Sequence, residues 1–578
     1  MNRTQLNLAE PLLLLPPMDR YREQFRIVQL PRANAADQYK KITDLLPLDQ
    51  ITIAPELTKD HPLAKYFLQS EPISSKQLKV ILSGPDINPV LTLLHEGRIP
   101  AAFYPDGVVP LEGNDTSYDR SEWNRDALII SAALRRGGNW NESFAILKLL
   151  WNSMATEPEL RNRIISFRDC DDGLARTKRG EWVMPVKWSL GDPHKIHVFN
   201  NWSHRQLDAN WETIGGPFRF ACELAEAQAA GKLPLTVNPL ELALESLDPE
   251  YKKHGTHILM DAVEALLRIG WDMPHDGIWE SYPSSSGTHG ILAGVAALDE
   301  AERFFERFGW DALPHNERED GLTFKELFKT QLAAGRAIIK ERIPEEGYAT
   351  ERRGRPHDMA LTLAMCPFVP SHESLSSRQF DTLARTGYDF CMTPQGFIRW
   401  DNDKKHGPDT YLSGGYMQDP AVNTKGEFGK LPDNWKTGQD WKNDWAASWT
   451  MFDPIYVGGF ARRYIESSGG DVEAFLRTAE HMKRSFSQTT KQEYIVNLAG
   501  KDGAPFVIPK GVLPEAWVWS LNGELVPAHN GALQMSHGLL GIALERYAEA
   551  LEIFESGEGQ KHYKRYVEWK SSYLDFQI

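Results

Sequence analysis

The chain has 578 residues, of which 41% are hydrophobic and 25% charged, and its formal net charge is −15. That balance builds a large globular core and excludes a fibrous or disordered chain, while the acidity argues against nucleic acid as the main partner, because phosphate backbones favour basic grooves. Cys170, Cys222, Cys366 and Cys391 are widely spaced and form no CxxC, so neither a cysteine zinc site nor a disulfide framework is expected.

In chain order, the apolar LLLL run near the start stops at Pro16 and Pro17, too short for a secretory signal. No run approaches the roughly 20 apolar residues needed to span a bilayer. The expectation is a cytoplasmic chain with no membrane partner. Residues 1–110 hold short apolar pieces, ITIAPEL, LKVILSG and AAFYP, broken by Pro, Gly and Asp. They are expected to form a small N-terminal lead-in of mixed structure with some strands.

From about residue 120 helix-like segments recur, with apolar residues at three- and four-residue steps. They include RDALIISAALRRGG, ESFAILKLLWNSM, PFRFACELAEAQAAG, HILMDAVEALLRIG, THGILAGVAALDEAERFFERFG and FKELFKTQLAAGRAIIKERI. HDMALTLAMCPF, SRQFDTLARTGYDFC, WAASWTMFDPIYVGGFARRYIESSGG, DVEAFLRTAEHMKRSF and SHGLLGIALERYAEALEIFESG follow. Several end at Gly, a favoured residue just past a helix C-terminus. The absence of a βαβ series argues against a TIM barrel. Segments such as ILAGVAAL are apolar over more than half their surface, so they are buried on more than one side. Two concentric layers explain this, an inner one buried all round and an outer amphipathic one, over residues 111–578.

Many of the 18 Trp stand beside Gly, Asn and Asp, as at Trp202, Trp211, Trp435, Trp441 and Trp445. Any one of them reads equally as core. Together they suit a sugar site, where a flat ring covers the apolar face of a pyranose.

Two carboxylates stand out. Glu280 follows Ile278-Trp279 and precedes a polar loop; a carboxyl poorly solvated beside Trp279 would have a raised pKa and could donate a proton. A capping or salt-bridged glutamate is the alternative. Glu515, in GVLPEAWVWS, precedes Trp517 and Trp519, with Ser536 and His537 downstream, and suits an ionised base; Glu524 is its rival. The acidic clusters at 169–173 and 401–403 lack EF-hand spacing and read as solvated loops, with a structural ion left open.

The ordered motifs resemble glycoside hydrolase family 15, the glucoamylases, glucodextranases and related trehalases, over roughly residues 110–555. DGIWE, ending at Glu280, resembles the family's general-acid loop, and LPEAW resembles its base loop at Glu515. AHNGALQMSHG resembles the segment that opens the last barrel helix. YDRSEWNRDALI resembles the Trp-x-Arg-Asp motif that binds the terminal sugar, giving Trp123, Arg125 and Asp126. WSHRQLD resembles the W…Q-x-D segment, giving Trp202, Gln206 and Asp208. FIRWDNDKKHGPDTYLSGG points to Arg399 as a sugar clamp and Tyr411 as a wall. Trp279 and Trp517 flank the two acids. There are departures: Ala516 stands where the base loop usually carries Gln, and SGGYMQDP replaces an aromatic-rich segment.

The resemblance implies an all-α (α/α)6 barrel and an inverting, exo-acting hydrolase releasing glucose from α-glucosides or short oligosaccharides. A neutral oligosaccharide is the expected partner, and no metal or organic cofactor is expected. Trehalose hydrolysis, glycosyl transfer, a non-glucose glycosidase or a catalytically silent sugar sensor are the alternatives. Oligomeric state is left open.

Overall fold

The computed structural model describes residues 74–82, 102–103, 121–192, 195–198, 204–233, 238–248, 250–271, 273, 275, 277–279, 287–313, 323–346, 357–365, 375–393, 396–399, 447–490, 494–496, 506–508, 513–519, 525–527 and 532–575. Among the described residues, twelve helical elements form two layers, with Pro158–Arg168 and Pro239–Leu247 as further helices beside them. The inner layer holds α1 (Asn124–Arg136), α3 (Leu207–Ala229), α5 (Thr288–Phe308), a short 3₁₀ helix (Met359–Met365), α8 (Phe452–Glu466) and α10 (Gln534–Glu555). Outside them lie α2 (Trp140–Thr156), α4 (Ile258–Ile269), α6 (Phe324–Arg342), α7 (Ser377–Thr386), α9 (Val472–Ser487) and α11 (Gly557–Asp575). Each inner element packs on the next, and α10 returns to α1, so the inner layer closes into a ring. The fold is an (α/α)6 barrel.

The two layers differ as the sequence pattern predicts. In α5 every residue from Thr288 to Ala301 is buried. In α6 the buried residues are Phe324, Phe328, Leu332, Gly335, Ile339 and Arg342, one stripe at three- and four-residue steps. Full burial of each large apolar side chain in that stripe contributes about 1.5–3 kcal/mol. Close approach inside the ring needs small residues. A Cβ on Gly215 of α3 would stand 3.0 Å from the Ala297 backbone of α5. The expected glycine stops are present: Gly270 and Gly309, with φ of 81° and 98°, follow α4 and α5.

Three expectations need correcting. LKVIL does not form a strand; it lies in the helix Ser75–Leu82, whose Leu78 is buried in the core and whose Ser75 N–H donates to Glu555 of α10. A five-residue apolar run does not by itself separate strand from helix, and packing on α10 decides it. AAFYP does contribute the pair Ala102–Phe103, antiparallel to Ala532–Leu533. The PFRFACELAEAQAAG helix begins ten residues before Pro217, which lies inside α3. Burial of Leu207, Trp211 and Ile214 offsets the lost backbone bond, a cost of about 3 kcal/mol. Trp211 is core rather than platform: it is buried in α3 and stacks on Trp271 at 5.8 Å.

Cys170, Cys222 and Cys391 are free thiols, and Cys366 lies outside the described residues. Among the described residues, no helix is long and apolar enough to cross a membrane.

Candidate active site at the ring mouth

Contacts from Arg125 to Asp208 and from Asp208 to His289 tie the first turns of α1, α3 and α5 together, so these N-termini share one end of the ring. Such an end collects unpaired N–H groups and partial positive charge. The sequence places acids in first turns of the inner layer: Asp126 in α1, Asp208 in α3 and Asp453 in α8.

Arg125 and Asp126 open α1 as expected. Arg125 is buried, and its Nη1 donates to Asp208 Oδ2 at 2.9 Å and Gln206 Oε1 at 3.4 Å. Its Nε lies 3.8 Å from Asp126 Oδ1. The matched motif residues Arg125, Asp126, Gln206 and Asp208 are therefore one cluster. The cluster is anchored from below by Asn124, whose amide donates to Pro185 O at 3.0 Å and Thr213 Oγ1 at 3.1 Å. Trp123 is buried, with Lys187 Nζ 4.3 Å from its ring centroid.

Three residues that the sequence reading did not select complete this side. His289, in the first turn of α5, lies 3.7 Å from Asp208 through Nε2, and its Nδ1 pairs with Glu346. Glu346 also accepts the His289 backbone N–H at 2.9 Å. His275 packs beside His289, with ring centroids 5.1 Å apart. Burial opposes charge on Asp208, yet the His289 hydrogen bond and the His289 and Arg125 charges hold its pKa well below the usual carboxylate range. Burial likewise opposes the His289 imidazolium, but Glu346 and Asp208 raise its pKa well above normal. Glu212, one helical turn beyond Asp208, is pushed up to about 8 by burial and then by the Asp208 charge. It faces a cavity inside the ring together with Ser131, Arg135, Arg219 and Glu300.

On the other side of the mouth, short strands gather residues far apart in sequence. β1 (Met392–Thr393), β2 (Gly396–Phe397), β3 (Ser448–Trp449), β4 (Ala516–Trp519) and β5 (Leu525–Pro527) form an antiparallel sheet in the order β5-β4-β3-β2-β1. Trp449 pairs with Phe397 on one side and Ala516 on the other. Arg399, just past β2, and Glu515, just before β4, are thus held on the two strands that flank β3, and both are buried.

Trp279 joins them. Its ring meets Trp449 edge-on at 5.0 Å, and the Arg399 guanidinium lies 5.8 Å from its ring centroid. Its indole N–H donates to Asp358 Oδ1 at 2.7 Å. The backbone N–H of Ile278 in turn reaches His289 Nε2 at 3.4 Å, linking the two sides of the mouth.

The loop bearing Glu515 is tied down by its neighbours. Thr450 Oγ1 donates to Pro514 O at 2.5 Å, and the Thr450 N–H reaches Glu515 O at 3.4 Å. Leu513 N–H donates to His537 Nε2 at 2.8 Å, and Trp517 Nε1 donates to Gln488 O at 2.7 Å. Burial lowers the His537 pKa to about 4, so the ring stays neutral and able to accept that bond.

Glu280, Trp202 and Tyr411 lie outside the described residues, as do Glu524, Trp435, Trp441 and Trp445. Of the two acidic clusters, Asp169 pairs with Arg168 at 2.7 Å and Asp172 accepts from Ala175 N–H at 2.8 Å as a helix cap. The cluster at 401–403 is outside the described residues.

Among solved structures, the chain is similar to a glycosidase variant in complex with glucose, at 13% identity and a TM-score of 0.43, over 83% of this chain and 96% of that one. It is similar to the glucoamylase of Saccharomycopsis fibuligera at 13% identity and a TM-score of 0.45, over 82% and 94% of the two chains. The glucoamylase of Hormoconis resinae aligns at 11% identity and a TM-score of 0.38, over 82% and 73%. No family model matches the sequence, and no curated protein matches it. The functional reading therefore rests on the site's own residues.

Proposed function

We propose that the chain is an exo-acting, inverting glycoside hydrolase that releases terminal glucose from α-glucosides or short α-gluco-oligosaccharides. One observation carries this reading: the Arg125–Asp126–Asp208 cluster and buried Glu515 sit at the same end of the helical ring, joined through Ile278, Trp279 and Trp449. A polar clamp beside a buried carboxylate, walled by tryptophan, suits a neutral sugar.

In this mechanism Glu280, directly after Trp279, protonates the glycosidic oxygen as the bond to the anomeric carbon breaks. Glu515 accepts a proton from a water, whose oxygen attacks that carbon from the opposite face. An α-glucoside then yields β-glucose and the free alcohol. The scheme requires the two carboxyls about 6.5–9.5 Å apart, leaving room for the water. Arg125, Asp126 and Arg399 hold hydroxyls of the terminal sugar, while Asp208 and Gln206 fix the Arg125 guanidinium. Trp123 and Trp517 wall the pocket, and the motif resemblance gives Trp202 and Tyr411 the same role.

The test is glucose release from maltose, isomaltose, kojibiose, nigerose, trehalose and soluble starch by the wild type and by Glu515→Gln. The expected result is turnover of one or more of the disaccharides faster than starch, reduced about 10²–10⁴-fold in the variant, the usual size of a general acid–base contribution. A Glu515→Gln protein with wild-type turnover would remove the assigned base.

A further inference from the structure

The Asp208 side of the mouth holds a second arrangement that sugar binding does not require. One donor atom from each of Asp208, His275 and His289 lies within 4.8 Å of the other two, and all three residues are buried. They come from the first turn of α3, the loop before α5 and the first turn of α5.

Each is oriented from behind. Glu346 takes His289 Nδ1 and turns Nε2 toward Asp208. A carboxylate behind the far nitrogen is the common support of a metal-binding imidazole, since it fixes the ring and raises its basicity. The backbone of Gly287 flanks His275 Nε2, with its nitrogen at 2.8 Å and its oxygen at 3.2 Å. The Gly287 N–H donates to Nε2, so metal binding at Nδ1 moves the ring proton to Nε2, where the Gly287 oxygen can accept it. Arg125 occupies Asp208 Oδ2.

Two buried atoms in the cluster make no hydrogen bond: Asp208 Oδ1 and His275 Nδ1. An orphaned polar atom in a buried site is destabilising unless something binds it. Asp126 and Asp208 pair with Arg125, and Glu346 and Asp208 face His289, so a divalent ion that replaces the His289 proton balances these three carboxylates against the one guanidinium.

We propose that Asp208, His275 and His289 bind a divalent transition-metal ion of the zinc class, with Glu346 orienting His289 and a solvent or substrate oxygen as fourth ligand. Two imidazoles and one carboxylate suit zinc or cobalt, whereas calcium and magnesium favour all-oxygen sets. Tetrahedral bonds of about 2.0–2.1 Å place donors roughly 3.3 Å apart, so side-chain adjustment closes the cluster onto an ion.

This assignment does not depend on the glycosidase reading, and its test uses no sugar. Full-length protein is stripped with a chelator, dialysed and titrated with Co²⁺, then with Zn²⁺ in competition. The expected result is one ion per chain, visible absorption bands of tetrahedral cobalt that zinc abolishes, and a Tm that rises with added Zn²⁺. His275→Ala and His289→Ala lose the cobalt bands, and Glu346→Gln weakens binding about 10–100-fold. Mg²⁺ produces no rise in Tm. Wild-type protein that takes up no ion, or uptake that survives in folded His275→Ala, overturns the proposal. If these variants fail to fold, the wild-type stoichiometry and cobalt spectrum still decide it.

Discussion

Outer helices α6, α7 and α9 and the inner helices begin in opposite ways. Outer helices α6 and α7 open with complete capping boxes: Thr323 with Glu326, and Ser376 with Gln379. Outer helix α9 is capped by Asp471. Inner helices α1, α3, α5, α8 and α10 are preceded by Trp123, Gln206, Gly287, Met451 and Leu533, none of which makes a side-chain capping bond. Their first turns instead carry Arg125, Asp126, Asp208, His289, Asp453, Ser536 and His537, several of which bind groups on other elements. These three outer helices satisfy their own starts. An inner helix depends on its neighbours, so the mouth is held by tertiary contacts.

Three substitutions sharpen that contrast. Arg125→Met leaves Asp208 buried beside His289 without its guanidinium, and breaking one partner of a buried pair costs about 3–5 kcal/mol. Denaturant unfolding should show this loss, and the folded fraction should have a lower kcat/KM for glucosides. Unchanged stability would mean that the ion pair does not hold the mouth together.

The next effect depends on pH. His537 is buried and neutral, with a folded pKa of about 4 against about 6.5 when unfolded. Between those values the unfolded chain binds more protons, so stability rises with pH across this window and is lost as pH falls from 6.5 to 4. The difference amounts to about 3 kcal/mol. His537→Gln can still accept from Leu513 N–H but does not titrate. Its stability should fall less steeply over the same window in parallel unfolding curves, and identical slopes would show that His537 is not the titrating group.

The smallest effect belongs to the outer layer. Thr323→Ala removes one half of the α6 capping box and should cost about 1 kcal/mol of stability. Activity per folded molecule should be unchanged, because α6 satisfies its own start away from the clamp. A fall in kcat would contradict the separation of roles between the layers.

This division also explains what the sequence revealed. Capping and glycine stops are local, so Gly309 after THGILAGVAALDEAERFFERF marks the end of α5 without tertiary knowledge. Arg125 and Asp126 were legible because they share one motif at the start of α1. The His289–Glu346 pair was not, since its partners are far apart in sequence and belong to different elements. A histidine directly after Gly287-Thr288 at a helix start was the available signal. The sheet that seats Glu515 was hidden for another reason. Strands as short as β1, β2 and β3 have no alternation to read, and only their pairing across the ring mouth defines them. The HDMALTLAMCPF segment reads as a helix, but its described core is a 3₁₀ helix anchored by Met359 N–H on Arg399 O at 2.8 Å.

The central claim is a single displacement by water activated at Glu515. It is tested most directly by NMR of the anomeric proton in the first moments of α-glucoside hydrolysis, before mutarotation scrambles the product. The proposed mechanism predicts β-glucose as the first sugar released. Initial α-glucose would contradict it, because retention requires a nucleophile with the two carboxyls about 5–5.5 Å apart rather than a base acting through water.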